Sequence, residues 1–264
     1  ITTKKLNTKN VIYANGLFSW YHQDSILCFM STIKGFTEIV YYYDINRDTL
    51  ISSIELDKNM NDDRITKGGT TIYNPISKQL NKTIKIKSRS NEYIDSTYNI
   101  LSVFDPSTGM KIGSFNSANP VYNRYKLSKW LVIKQSFNIK EDYFVTLQYF
   151  SNVLKFWDSK LKLIKEVRFN LADNYRHISK DMNYTGKENY VKQSHMITRT
   201  KSLLLNDYNN ELLLLFYNET FPDGVTEPLS DDIVIEKYFL ILDDKGNWKN
   251  NSPYKTPDSF LPFF

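Results

Sequence analysis

The chain has 264 residues, of which 41% are hydrophobic and 24% charged, a composition that excludes disorder of the whole chain. An aromatic content of 15% suits strands that pack broad side chains. The formal charge of +5 is spread over strands and turns, so no nucleic-acid partner is expected. The apolar cluster from Leu212 to Tyr217 is far shorter than the roughly 18 to 20 residues that cross a bilayer, so no transmembrane segment is predicted.

The first part of the chain alternates apolar and polar residues in short runs, which predict strands. These strands are expected near residues 11–14, 17–21, 25–31, 38–44 and 50–56. Cys28, the single cysteine, lies in the third run and is predicted to be a small buried hydrophobe. Because the links are short, the strands are expected to pair as an antiparallel meander.

Residues 57–81 are polar and rich in turn-forming residues, which predicts a long connecting loop with one short strand near 70–73. The run KTIKIKS from Lys82 restarts the alternation and places its lysines on one solvated face of a strand. In DPSTG from Asp105, proline presets the second turn position and glycine allows a positive φ, so this is the clearest predicted turn.

The second half predicts two further groups of strands. The first group lies at 129–137, 142–149, 153–157 and 163–169, and its short links require sequential antiparallel pairing. The second group lies at 195–199, 202–206, 212–218 and 233–242. Residues 170–192 have no sustained period, and the acidic segment between the last two strands is predicted to be an exposed loop.

Four aspartates recur where an apolar run ends, at Asp44, Asp105, Asp158 and Asp243. Each is followed by a turn and a second apolar run, which is the pattern of a β-hairpin. Their spacing is near the roughly 40 to 50 residues of a propeller blade, with a wider last interval. Because each lies where a strand enters a turn, these aspartates are predicted to cap turns and not to form a catalytic or metal array.

With these hairpins the chain resembles bacterial β-propellers of the TolB-like and NHL-like type, and most of all six-bladed envelope lipoproteins of uncharacterised function. The resemblance rests on the four aspartates and the strands around them, since the third strand of such blades often ends in aspartate. It implies an all-β propeller of four-stranded antiparallel blades, with about five blades recognisable here and six if the termini combine. It departs from the WD-repeat pattern, because Trp157–Asp158 is the single dipeptide of that kind and lacks a Gly-His partner.

The length of the chain predicts one propeller domain over residues 1–264 and leaves open whether a terminus is incomplete. The resemblance implies a location in the bacterial cell envelope, at the outer-membrane surface or in the periplasm. A lipid anchor would then lie outside this chain, which begins at Ile1 and not at methionine. A cytoplasmic location is the alternative.

Residues for catalysis or metal binding do not occur at the spacings those functions need. His22, His177 and His195 are far apart, and neither Asp62–Asp63 nor Asp231–Asp232 has the alternating spacing of a calcium loop. No G-x-S-x-G nucleophile elbow occurs. The sequence therefore predicts no catalytic residue, no metal and no cofactor.

The segment from Asn174 to Tyr184 is the best candidate for ligand binding. Its tyrosines could stack on a sugar or a peptide, and its arginine could bind a carboxylate in bidentate fashion. The predicted ligand-binding residues are Tyr175, Arg176, His177, Lys180, Asp181 and Tyr184. The alternative is a packed surface loop whose aromatic rings cover the strands beneath it.

The sequence favours a non-enzymatic binding or scaffolding protein that recognises a protein, peptide or glycan through loops between blades. One alternative is a hydrolase or lyase acting on carbohydrate, with carboxylates gathered at the propeller channel. A second alternative is a cytoplasmic propeller that mediates protein interactions.

Overall fold

The computed structural model describes residues 18–23, 25–32, 38–56, 65–66, 71–83, 85–86, 99–119, 133–149, 151–170, 176, 198–220, 234–249 and 254–255. Regular structure in these ranges consists of strands, β1 to β18. The chain forms two compact units, Ile1–Ala118 and Asn119–Phe264. Each unit contains two four-stranded antiparallel sheets.

Unit 1 contains sheets 1 and 2. Sheet 1 is formed in chain order by β1 (Phe18–Gln23), β2 (Ile26–Thr32), β3 (Glu38–Asp44) and β4 (Thr49–Glu55). Sheet 2 is formed by β6 (Thr71–Asn74), β7 (Gln79–Thr83), β9 (Asn99–Phe104) and β10 (Lys111–Ser117). The short strands β5 (Ile65–Thr66) and β8 (Lys85–Ile86) pair with each other, so β7 pairs directly with β9.

Unit 2 contains sheets 3 and 4, both formed in chain order. Sheet 3 consists of β11 (Ile133–Asn138), β12 (Tyr143–Gln148), β13 (Val153–Asp158) and β14 (Leu163–Arg168). Sheet 4 consists of β15 (Arg199–Asn206), β16 (Glu211–Thr220), β17 (Val234–Leu242) and β18 (Tyr254–Lys255).

The predicted all-β class with four-stranded antiparallel sheets is confirmed, and four such sheets lie within the described ranges. The total number of blades stays a prediction. The segment predicted as a loop holds more strand than expected, because Ile65–Thr66 lies within it and Gln79–Thr83 begins three residues before the predicted restart at Lys82 and forms a hairpin with Thr71–Asn74. The strands predicted at 195–199 and 202–206 differ too, since Arg199–Asn206 is one strand with a register shift between Thr200 and Ser202.

Each unit has an apolar core between its own two sheets. In unit 1 the buried core residues are Cys28, Val40, Tyr42, Leu56, Leu80 and Phe104. In unit 2 they are Val145, Leu147, Leu154, Phe156, Phe169, Leu203, Leu212, Leu214, Phe216, Leu240 and Leu242. Cys28 is buried, as predicted. Burial of such apolar surface is the main favourable term that holds each pair of sheets together.

Antiparallel order gives each sheet two different ends. The turns from first to second strand and from third to fourth strand lie at one end, here called the turn end. Second strands finish and third strands begin at the opposite end, here called the connection end. First strands also begin at the connection end, so the links between sheets start and finish there. Loops at such ends usually carry binding residues in propellers and other rigid scaffolds.

Candidate functional site: a charged cluster at the connection end of unit 2

The four repeated aspartates all lie at the turn end, directly after or at the end of a third strand. Asp44 shows the arrangement, since its Oδ1 accepts hydrogen bonds from the backbone N–H groups of Asn46 and Arg47 at 2.9 and 3.0 Å. Equivalent backbone hydrogen bonds are accepted by Asp105, Asp158 and Asp243. Their carboxylates therefore hold hairpin turns together.

Three asparagines that the sequence reading missed do the same after first strands. The Oδ1 of Asn74 accepts the N–H of Ile76 at 2.9 Å, and Asn138 and Asn206 each accept a backbone N–H in the same way. In each case the residue four positions later has a positive φ. Asn74 and Asn138 are fully buried, where a neutral amide costs less than a carboxylate.

Charged side chains gather at the connection end of unit 2 instead. Arg199 begins β15, and Glu219 lies near the end of the neighbouring strand β16. The Oε1 of Glu219 lies 3.2 Å from the Nη1 of Arg199. Both residues are less than one tenth exposed. With Arg176, Tyr149 and Tyr217 they form what we call the connection-end cluster.

The two tyrosines join sheet 3 to sheet 4 in this cluster. The hydroxyl of Tyr149, just after β12, lies 3.4 Å from the hydroxyl of Tyr217 on β16. The Arg199 guanidinium lies over the Tyr217 ring, 5.8 Å from its centroid, as in a cation–π contact. Burial raises the pKa of Tyr149 well above its usual range, so this phenol remains a neutral hydrogen-bonding group.

Arg176 reaches the cluster from the segment predicted to bind ligand. Its backbone N–H donates to the Oγ1 of Thr198 at 2.6 Å and its carbonyl accepts the N–H of Thr198 at 3.1 Å. Its Nη1 donates to the backbone carbonyl of Glu219 at 2.9 Å. The other predicted residues, Tyr175, His177, Lys180, Asp181 and Tyr184, lie outside the described residues.

Unit 1 also has a buried ion pair, which corrects the prediction for Lys82. That lysine was expected on a solvated face but is 3% exposed, and its Nζ lies 2.9 Å from Glu38 Oε2. The hydroxyl of Thr71 donates to the same carboxylate oxygen at 2.7 Å. Alternation shows which residues share a face but not which face is covered, and here the face that carries Lys82 packs against sheet 1, which supplies Glu38. Because this pair is enclosed between sheets, we assign it to structure and not to ligand binding.

The carboxylates near the cluster are poorly suited to acid catalysis. Glu219 is paired with Arg199, and Glu236 on β17 pairs with Lys255 at 2.7 Å. The hydrogen bond from Lys255 lowers the pKa of Glu236, whereas a general acid of a glycosidase needs a raised pKa. Within the described ranges, no three His, Cys, Asp or Glu residues are grouped so that they could hold a metal ion.

No protein family is matched by this sequence, and no curated protein matches it. The structure is similar to that of a DUF4221-family member from Bacteroides vulgatus, with a TM-score of 0.50, 10% identity, and coverage of 91% of this chain and 81% of that one. It is also similar to the Dos1 propeller, with a TM-score of 0.41, 10% identity, and coverage of 88% and 56%. A third similar structure is the Cps50 (Swd1) β-propeller domain of Myceliophteria thermophila, with a TM-score of 0.36, 9% identity, and coverage of 88% and 70%.

At these identities the similarity concerns the fold alone. The four-stranded antiparallel sheets of the described residues are consistent with the blades of a β-propeller. Among the described residues there is no helix with the length and apolarity that a membrane crossing requires.

Proposed function

We propose that this chain is a non-catalytic β-propeller that binds or scaffolds a protein, peptide or glycan partner through the connection end of unit 2. The observation that supports it is the position of Arg176. This residue comes from the predicted ligand segment and is hydrogen-bonded into a buried cluster of arginine, glutamate and tyrosine.

The cluster has the properties of a preorganised recognition site. Arg199 is held by Glu219 and by the Tyr217 ring, and Arg176 is fixed by its bonds to Thr198 and to the Glu219 carbonyl. Groups that are already fixed lose little conformational entropy when a ligand binds.

Binding is favoured over the alternative of carbohydrate hydrolysis by the state of the carboxylates. Glu219 and Glu236 each form an ion pair with a cation, and the hydrogen bond from Lys255 lowers the pKa of Glu236, which is the opposite of what a proton donor needs. The two carboxyl groups of a glycosidase, by contrast, are kept in different protonation states by their surroundings.

The proposal is tested with labelled protein on a peptide array and a glycan array. We expect wild-type protein to bind members of one array, and we expect Arg176→Ala to lose that binding. The control is Arg47→Ala, which removes the same charge from an 83% exposed side chain at the turn end of unit 1. Binding that survives Arg176→Ala would contradict the assigned site. Release of reducing ends from the arrayed glycans would instead support the hydrolase.

Location in the bacterial cell envelope is part of the same proposal, and the resemblance to envelope propellers is its support. Fractionation of cells that express the complete gene should place the protein with the membrane and periplasmic fractions. Recovery in the cytoplasm would favour the cytoplasmic interaction propeller.

A further inference from the structure

Two lysines lie on neighbouring first strands of unit 2, apart from the residues described above. Lys134 is the second residue of β11, and Lys201 is the third residue of β15. The strands are neighbours, since the N–H of Leu205 on β15 donates to the Oγ of Ser136 on β11 at 2.8 Å. Both lysines lie toward the connection end, where β11 and β15 begin.

The surroundings of these lysines favour an added negative charge. Burial and then the charge of Lys201 lower the pKa of Lys134, so the two ammonium groups repel each other in a partly desolvated place. In the described part of the chain, no carboxylate forms an ion pair with either of them. An anion placed between them would relieve the repulsion.

The balance of charge around this place is positive. Lys201 follows Arg199 by two residues on β15, and Arg176 binds the carbonyl of Glu219 at the end of the neighbouring strand. Together β11, β15 and position 176 carry four cationic side chains and no carboxylate, and Glu219 of β16 is paired with one of the four, Arg199. Arg199 is buried, whereas Lys134 and Arg176 are partly exposed and Lys201 is exposed, so a ligand can approach from the lysine side.

We propose that the first strands of sheets 3 and 4 form a site for an acidic peptide, with a ligand carboxylate bound between Lys134 and Lys201 and further charge facing Arg176. Lysine and arginine form short, charge-assisted hydrogen bonds with carboxylates. This inference rests on the proposed function, because it names the ligand class of the same connection end.

A peptide is favoured over an acidic glycan because of the aromatic rings. Sugar rings are commonly bound against exposed aromatic faces, but Tyr149 is buried and the Tyr217 face is covered by Arg199. The most exposed tyrosine with a described side chain is Tyr208, at 94%, and it lies in the turn after Asn206 at the opposite end of sheet 4. The connection end, as far as it is described, therefore offers charge without a ring for stacking.

The test is calorimetric titration at low salt with hexaglutamate as the probe, and with hexaglutamine and a galacturonate oligomer for comparison. The variant is Lys134→Met with Lys201→Gln, which removes both charges and keeps side-chain volume. We expect it to weaken hexaglutamate binding about tenfold or more, since each lost charge-assisted contact is worth about that factor. The charge-matched control is Lys160→Gln with Lys162→Gln, at an exposed turn of the same unit, which should bind like wild type.

Five outcomes would overturn this inference. They are no hexaglutamate binding by wild type, unchanged binding by the variant Lys134→Met with Lys201→Gln, equal binding of hexaglutamine, equal loss in the control, and a preference for the galacturonate oligomer. In each of them the proposed function still stands or falls on the array result with Arg176→Ala, so the two failures can be told apart. Rising salt should weaken hexaglutamate binding, because these contacts are partly exposed to solvent.

Discussion

Within each unit, the turn between the third and fourth strands of one sheet contacts the fourth strand of the other sheet in the same way. In unit 1 the turn after β9 lies against β4, where a Cβ added to Gly109 would be 2.5 Å from Ile54 Cγ2. In unit 2 the turn after β17 lies against β14, where a Cβ added to Gly246 would be 2.6 Å from Val167 Cγ1. Both glycines have a positive φ. In these two turns glycine is needed because a side chain would collide with the neighbouring sheet.

The polar contact at this docking point is made by different residues. In unit 1 the Tyr42 hydroxyl donates to the carbonyl of Pro106, the residue after Asp105. In unit 2 the carbonyl of Asp244, the residue after Asp243, accepts a hydrogen bond from Lys165 Nζ at 2.9 Å. The ammonium of Lys165 also lies over the ring of Phe156, the residue two positions before Asp158, as Tyr42 is before Asp44. The shared requirement is a donor for that carbonyl, not a particular side chain.

The units differ most in which sheets share their buried ion pair. In unit 1 Glu38 begins β3 and Lys82 lies near the end of β7, so the pair joins sheet 1 to sheet 2 at the connection end. In unit 2 Leu214 takes the position of Lys82 relative to the turn asparagine, and the buried pair of Arg199 and Glu219 lies instead on neighbouring strands of one sheet, where Arg176 joins it. The difference separates charge that specifies packing from charge that can meet a ligand.

Removal of one partner of the enclosed pair is expected to have the largest effect. Lys82→Leu leaves Glu38 as an uncompensated buried charge and should cost about 3–5 kcal/mol of unfolding free energy. Adding Glu38→Asn should recover most of that loss, because the double variant copies unit 2, where Asn152 stands six residues before Asp158 as Glu38 stands before Asp44, and Leu214 takes the place of Lys82. Denaturant unfolding measures both variants. If Lys82→Leu alone were as stable as wild type, the ion pair of Glu38 and Lys82 would not specify packing in unit 1, and this prediction would be wrong.

The docking glycines come next. Gly109→Ala should cost about 2–4 kcal/mol, from left-handed strain and overpacking together. Gly246→Ala should cost less, because its nearest backbone atom is 3.3 Å away whereas at Gly109 it is 2.9 Å. Gly113→Ala is the control, since nothing lies within 4 Å of its added Cβ. Thermal unfolding of the three variants tests the order, and a cost at Gly113 equal to that at Gly109 would contradict it.

Removal of the side chain that donates to the Pro106 carbonyl should have a smaller effect on stability. Tyr42→Phe should cost about 1–2 kcal/mol, because the Pro106 carbonyl loses its buried donor. Ser52 pairs with Tyr42 as Lys165 pairs with Phe156, so adding Ser52→Lys should restore part of the loss. Chemical denaturation of the single and double variants measures this coupling. If Ser52→Lys stabilises the wild-type protein as much as it stabilises the Tyr42→Phe variant, the lysine does not replace the tyrosine as the donor to the Pro106 carbonyl.

The smallest expected signal is the labelling of Cys28 in the native protein. Burial raises the pKa of this thiol to about 12, so at pH 8 it is protonated as well as inaccessible, and a disulfide reagent should react only after unit 1 opens. Lys82→Leu, in unit 1, should speed labelling, and Gly246→Ala, in unit 2, should not. Equal acceleration by both would show that the units open together.

The sequence predicted the sheets well because their signals are local. Asp105 is followed by proline and glycine within four residues, and alternation around it marks both strands. Asn74 caps a turn equally well, but it lies in a polar stretch and in a chain rich in asparagine, so its hairpin was read as a loop.

The site was predicted only in part, because its contacts are distant in sequence. Arg176 was singled out by the composition of its own segment, yet its partner Glu219 is 43 residues away. The pairing of Lys134 with Lys201 depends on two first strands lying side by side, which no local pattern records. The burial of Lys82 likewise depends on Glu38 from another sheet.

The most direct test of the ligand site is a crystal structure of the protein with hexaglutamate bound. The account predicts a glutamate carboxylate within about 3 Å of the ammonium groups of Lys134 and Lys201 at the connection end of unit 2. A peptide bound at the turn end, or bound elsewhere with both lysines uncontacted, would contradict it.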